Sequence, residues 1–316
     1  MDLSDIWPFI GKYWWILLIA LIATWIIYKF LQLIFICLKY TVGVSCFSKR
    51  KQLRRAGEWA IVTGASSGIG EAYAEELAKE GINLMLISND EQQLQSVADR
   101  LSNQYAVKTR IVVADFTKDD FHEVIKPEIT KLSTIACLVN NVGMGLPYGP
   151  FAGEVDSPNE QSIRNIIHCN TLSTALMTSL VLSKMLTQKE LNPGIINISS
   201  YAGLKIFPYA TMYAATKAFT LQFSKCLAAE NYKKQITIQT VCPLSISTSM
   251  TNFPKTTFFI PTAKQYVKNA LDMYGVESQT YGYSRHELKA YLYNLLPASV
   301  WLQMMKSRGD ATRKNP

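Results

Sequence analysis

Thr63-Gly64-Ala65-Ser66-Ser67-Gly68-Ile69-Gly70 follows a β-branched run, Trp59–Thr63, and leads straight into a helical segment, Gly68–Glu80. Strand, glycine-rich turn and helix in that order form the setting that a dinucleotide site needs. The glycines allow a tight turn and let backbone amides approach a pyrophosphate, which sits at the positive end of the helix. The spacing is G-x-x-x-G-x-G rather than G-x-G-x-x-G. The stretch also fits G-x-S-x-G, a hydrolase elbow with Ser66 as nucleophile and His286 available downstream. Two features oppose that reading: no Gly-rich oxyanion loop precedes a later strand, and such elbows follow several strands rather than the first.

Working outward, short apolar runs predict strands at Trp59–Thr63, Asn83–Ser88, Lys108–Ala114, Ile135–Asn140, Gly194–Ile198 and Ile236–Cys242. Helical patterns fall between them at Gly68–Glu80, Glu91–Gln104, Phe121–Lys131, Glu160–Leu186 and Tyr213–Asn231. Such alternation implies an α/β fold, a doubly wound parallel sheet of Rossmann type, over residues 58–287. Ligands bind such sheets at the C-terminal strand ends. There stand Asp115, the run Asn140-Asn141-Val142-Gly143, and Ser199-Ser200. Further on, Tyr213 and Lys217 lie four apart, one turn apart on one helix face. An ammonium beside a phenol favours the phenolate and lowers its pKa from about 10, giving a proton donor usable near neutral pH.

The glycine motif, Asn-Asn-x-Gly, a serine thirteen residues before the tyrosine, and Tyr-x-x-x-Lys occur here in order. Together they resemble the short-chain dehydrogenase/reductases from Trp59 to the region of His286. More narrowly, residues 114–120, Asn140–Met144, His168-Cys169-Asn170 and the apolar N-terminus resemble the branch of 17-beta-hydroxysteroid dehydrogenases type 3 and type 12, which includes very-long-chain 3-oxoacyl-CoA reductases. The resemblance implies a catalytic set of Tyr213, Lys217, Ser200 and Asn170. Tyr213 would be the general acid, Ser200 a hydrogen-bond donor to the same oxygen, Lys217 the modulator of the tyrosine and a ribose ligand, and Asn170 the holder of a relay water. The implied cofactor contacts are Gly64, Ser66, Ser67, Gly68, Ile69, Gly70, Asn89, Asp115, Asn141, Tyr213, Lys217, Ile246 and Thr248. Asn89 stands where relatives carry an arginine for the 2′-phosphate, and Asp90 is near. Family membership favours NADP(H); the local charges leave NAD(H) open. A non-catalytic, cofactor-binding membrane scaffold of the same fold is the alternative, and a homodimer is left open.

The formal net charge is +8. Much of it crowds into Lys49, Arg50, Lys51, Arg54 and Arg55, and no basic stripe with interleaved aromatics points to nucleic acid. Anionic lipid is the better counterpart. After a short segment at 1–12, residues 13–40 are long and apolar enough to span a bilayer core of ~20 residues. Aromatic residues at both ends suit the interfaces. Lys29, within that run, leaves a hairpin open. Residues 41–57 read as a basic linker, and the positive-inside rule places the following domain in the cytosol. Residues 288–316 form an apolar flank and a basic tail; Leu288–Met305 reads either as a core helix or as a membrane-facing flank. The final Arg313-Lys314-Asn315-Pro316 resembles a dibasic retrieval signal of endoplasmic reticulum membrane proteins. The six cysteines include no C-x-x-C pair, and the three histidines are far apart, so neither disulfides nor a metal site is expected. The expected substrate is a lipophilic ketone or alcohol.

Overall fold

The computed structural model describes residues 3–154, 157–188, 191–230, 236–248 and 256–314, with side chains from Tyr13 to Ala311 within them. The chain forms two units, Met1–Cys46 and Phe47–Pro316. In the first, α1 (Leu3–Leu38) runs unbroken through Lys29, which leaves no turn for a hairpin there. By length and composition this helix can cross a membrane, and its described side chains are largely exposed. A π turn, Lys39–Gly43, leads into α2 (Val44–Phe47).

Among the described residues of the second unit, seven strands form one parallel sheet: β1 (Trp59–Thr63), β2 (Asn83–Ser88), β3 (Thr109–Val113), β4 (Ile135–Asn140), β5 (Gly194–Ile198), β6 (Thr237–Val241) and β7 (Gln279–Thr280). Their order is β3-β2-β1-β4-β5-β6-β7. The chain reverses direction between β1 and β4, which opens the crevice where a doubly wound sheet takes its ligand. The helices are α3 (Gly68–Lys79), α4 (Glu91–Tyr105), α5 (Phe121–Thr130), α6 (Glu160–Ile167), α7 (Ser173–Met185), α8 (Thr211–Ala229), α9 (Ala263–Asp272), α10 (Ser284–Asn294) and α11 (Ala298–Lys314).

Strand alternation divides the core. Ala60, Val62, Leu84 and Leu86 face one side with Leu77 of α3, Leu94 of α4 and Leu271 of α9. Ile61, Met85, Ile87 and Leu138 face the other with Ile125 of α5 and Val181 of α7. The short β7, absent from the sequence expectation, pairs with β6 through Thr240–Gln279 and Val241–Thr280. Two residues carry too little periodicity to stand out.

Residues 47–57, a linker by composition, are built into this unit. Leu53 is buried, and the Arg50 guanidinium pairs with Glu76 and Glu80 at 2.7 Å and Asp272 at 2.9 Å. Arg50 thereby ties this segment to α3 and α9. The expected long helix Glu160–Leu186 is interrupted by a π turn, His168–Leu172. The flank Leu288–Met305 breaks at Pro297 into α10 and α11. Residues 249–255 and the end of the basic tail lie outside the described residues.

Candidate active site

The glycine turn is shaped by what it cannot accommodate. Gly64 and Gly68 have φ of 64° and 61°, a region that favours glycine. A Cβ on Gly70 would lie 2.0 Å from the Gly64 carbonyl oxygen, so α3 can approach the turn only with glycine there. Ser67 precedes α3 without making a side-chain cap, which leaves the first-turn amides directed at any anion above them. Thr63 Oγ1 accepts bonds from the Asn141 and Val142 amides, both at 3.0 Å. The Asn141 side-chain Nδ2 donates to the carbonyls of Thr63 and Gly64 at 2.9 and 3.2 Å. Asn141 therefore fixes the end of β4 against the turn and acts by positioning.

At the end of β2, Ser66 and Ser88 share a hydroxyl–hydroxyl bond of 2.9 Å, and Asn89 is exposed. Asp90 caps α4, accepting from Gln93 N at 2.9 Å. Asp115 likewise accepts from the amide and hydroxyl of Thr117, at 2.9 and 2.8 Å. Ile246 is buried, while Thr248 lies nearest to the open face of Gly68.

Four residues converge beyond β4 and β5. Lys217, 5% exposed, donates from Nζ to the Ile198 carbonyl at 3.0 Å, and Ser199 Oγ donates back to the Lys217 carbonyl at 2.7 Å. Among the described residues no carboxylate pairs with this lysine, and burial lowers its pKa to about 8. Asn170 sits in the π turn, which turns both Cys169 and Asn170 inward. Its Oδ1 accepts from Met144 N at 2.8 Å; its Nδ2 donates to Met144 O at 2.9 Å and Thr216 Oγ1 at 3.0 Å. Thr216 in turn donates to the Tyr213 carbonyl at 2.9 Å. A Cβ on Gly143 would come within 3.2 Å of Lys217 Nζ and 3.3 Å of Asn170 Oδ1, so glycine keeps that space free.

Ser200 starts the turn Tyr201–Gly203, its hydroxyl accepting from Ala202 N at 3.2 Å, and it lies near enough to the Tyr213 phenol to lower that group's pKa. The expected depression of the phenol pKa by Lys217 is not found. Burial raises the Tyr213 pKa, Ser200 lowers it less, and Tyr148 adds to the rise. Nζ is 5.8 Å from the ring centroid, and its hydrogen bond goes to a carbonyl instead. Leu146, Pro147, Phe151 and Tyr209 line a cleft that includes Tyr213. Thr63, Thr216, Tyr148 and Tyr209 escape a sequence reading, because hydroxyls and rings in loops carry no periodic signal.

The short chain dehydrogenase family model matches residues 58–257. The chain belongs to the short chain dehydrogenase family. It is therefore an oxidoreductase. It is 38% identical over 258 residues to the very-long-chain 3-oxoacyl-CoA reductase of Macaca fascicularis, covering 81% of each chain. It is 41% identical over 247 residues to human 17-beta-hydroxysteroid dehydrogenase type 3, covering 78% of this chain and 77% of that one. Among solved structures, a short-chain dehydrogenase from Sphingobium yanoikuyae in complex with NADPH aligns with a TM-score of 0.62 and 27% identity, covering 70% of this chain and 86% of that one. In this short chain dehydrogenase, turn, strand ends and Tyr213–Lys217 helix occupy one edge of one sheet.

Proposed function

We propose that this enzyme is a membrane-anchored reductase/dehydrogenase that uses NADP(H) on a lipophilic ketone or alcohol, either a 3-oxoacyl-CoA or a 17-ketosteroid. The observation that carries the reading is the grouping of Ser200, the Tyr213 phenol and buried Lys217, whose Nζ lies 5.8 Å from the Tyr213 ring, at the edge of an apolar cleft. The relatives named above are, by their names, a very-long-chain 3-oxoacyl-CoA reductase and a 17-beta-hydroxysteroid dehydrogenase.

The residues fit the cofactor. The α3 amides, with Gly64, Ser66, Ser67, Gly68, Ile69 and Gly70, would hold the pyrophosphate side. Asp115 would meet the adenine, Ile246 and Thr248 the carboxamide end, and Asn89 the ribose end beside Ser66. When bound, NADPH supplies the hydride. The chain's part is to bind the ketone oxygen and deliver a proton. Ser200 donates a hydrogen bond to that oxygen as charge develops on it. Tyr213, kept protonated by burial, gives its proton to the same oxygen. Lys217 would hold the nicotinamide ribose and restore the phenol's proton through a relay. Asn170 fixes the Gly143–Met144 backbone, and Oδ1 retains a lone pair for the relay water.

The helix α1 would anchor the chain in the endoplasmic reticulum membrane with the catalytic unit in the cytosol. Protease added to intact microsomes should then digest that unit. The central test is turnover of both substrates with NADPH and NADH, in detergent, by wild type and Tyr213→Phe. General acid catalysis is worth about 10²–10⁴-fold. A Tyr213→Phe enzyme as fast as wild type would overturn the mechanism.

A further inference from the structure

The inner faces of α10 and α11 are satisfied. Trp301 and Met305 are buried in a cluster with Tyr201 and Ala290. The outer corner between these helices is not. Leu292, Leu295, Leu296 and Val300 are exposed by 46, 41, 36 and 45%. Ile206 joins them at 69%, held there by a bond from Trp301 Nε1 to its carbonyl at 2.8 Å. Single exposed leucines are ordinary, but a contiguous set marks an interaction site.

The charges around the corner have one dominant sign. The two helices carry six Lys and Arg against Glu287 and Asp310. Arg285 and Lys289 lie one turn apart on α10. The Arg285 guanidinium covers exposed Phe258 at 4.2 Å from the ring centroid. The Lys289 ammonium lies over Phe259 and Tyr293, at 5.4 and 5.6 Å. Burial and the Arg308 charge both disfavour its protonated form, so an anion outside would be welcome.

We propose that this corner docks on the surface of an anionic bilayer. Its aliphatic side chains enter the boundary between headgroups and acyl chains, and Arg285, Lys289, Lys306 and Arg308 meet lipid phosphates. Apolar residues ringed by long basic side chains are the composition that lies in a membrane interface. The corner is a helix–helix turn that projects its aliphatics outward, and α1, long and apolar enough to cross a membrane, would hold the chain at a bilayer.

Docking here would serve the cleft. Tyr201, next to Ser200, packs against Tyr293 and Trp301 at 6.1 and 5.9 Å between ring centroids. Tyr209, in the cleft wall with φ of 66°, rests on Gly309 of α11, where a Cβ would come within 2.2 Å of its ring. A ketone dissolved in the bilayer would thus meet the cleft wall from the docked side. Delivery in this manner rests on the lipophilic substrate proposed above; docking itself does not.

The test uses the full chain in liposomes, with Cys37, Cys46 and Cys226 replaced by serine and an environment-sensitive label on Leu296→Cys. In phosphatidylcholine with phosphatidylserine, the label's emission should shift to the blue. It should be quenched by lipid-borne nitroxide and protected several-fold from aqueous iodide relative to detergent. Lys289→Glu with Arg308→Glu should abolish the gain from phosphatidylserine. Equal iodide quenching in liposomes and detergent, with none from nitroxide lipid, would overturn docking. So would shielding in detergent that grows with protein concentration, which marks a face for a second copy. In a second arm, Leu295→Asp with Leu296→Asp should raise KM about tenfold for a bilayer-partitioned ketone and leave KM for a short soluble ketone unchanged. Equal rises in both KM values would overturn delivery. Failure of every ketone to turn over, with the label still in lipid, would sink the substrate reading and leave docking standing.

Discussion

Replacing Lys217 by methionine should abolish reduction and, at neutral pH, make the free protein more stable. Lys217 is buried, lacks a carboxylate partner among the described residues, and has its pKa lowered from 10.5 to about 8. Both folded and unfolded chains are protonated at pH 7, so folding must bury a charge. The shift corresponds to about 3 kcal/mol at 1.36 kcal/mol per unit. The sign follows from proton counts: between pH 8 and 10.5 the unfolded chain binds more protons, and stability rises with pH there. Methionine removes the charge at similar length but leaves the Ile198 carbonyl without its donor, a loss of about 1 kcal/mol. The net expectation is about 2 kcal/mol of stabilisation at pH 7, shrinking to about zero near pH 9.5. Urea unfolding of the cofactor-free full chain in detergent, at both pH values, measures it. A variant less stable than wild type at pH 7, or an advantage that does not shrink with pH, would refute the buried, unpaired charge.

Gly70→Ala sets a Cβ 2.0 Å from the Gly64 oxygen, so backbone must move; the variant should lose NADPH binding in a fluorescence titration even where it still folds. Asp90→Ala removes the α4 cap and should cost about 1 kcal/mol in thermal or urea unfolding. The ratio of NADPH to NADH affinity should stay within twofold, about 0.4 kcal/mol. Arg50→Met takes one partner from Glu76, which keeps Lys79, and from part-exposed Glu80 and Asp272, and should cost about 1.5–3 kcal/mol. Burial raises the Glu76 pKa, but its bonds to Lys79 and Arg50 hold it below 4.5. The stability from pairing is therefore present above pH 4.5 and lost on acidification, and the gap between Arg50→Met and wild type should narrow below that pH.

Elements with regular periodicity were legible in sequence. β1, β2, β4 and β5 fall on the expected residues, because buried parallel strands read as unbroken apolar runs bounded by turns. Single residues that must approach others closely, such as Gly64 and Gly70, were legible for the same reason: glycine there has a steric cause. What stayed hidden depends on tertiary contact. A π turn adds one residue to a helical turn without an obvious compositional mark, so the inward position of Asn170 follows only from the structure. The direction of the Tyr213 pKa shift was also misjudged from spacing. An i,i+4 ammonium lowers a phenol's pKa only if its charge is available, and burial works against the charge on both groups at once.

That shared burial bears on how the enzyme discriminates between nucleotides. With Tyr213 raised and Lys217 lowered, both members lean towards their neutral forms in the free chain, and an anion near Nζ would favour the ammonium. The end of β2 has a similar economy of charge. Asp90 is committed to the α4 amides and Ser88 to Ser66, so neither is free to grip ribose hydroxyls as the carboxylate of NAD-selective sites does. Asn89 supplies no guanidinium either, so a 2′-phosphate would gain neutral hydrogen bonds rather than a bidentate ion pair. An edge with no guanidinium for the phosphate should accept NADPH with a smaller margin over NADH than an arginine at position 89 would give. Preference at this edge would thus depend on the commitment of Asp90 to the α4 cap, which its place in the sequence alone left open.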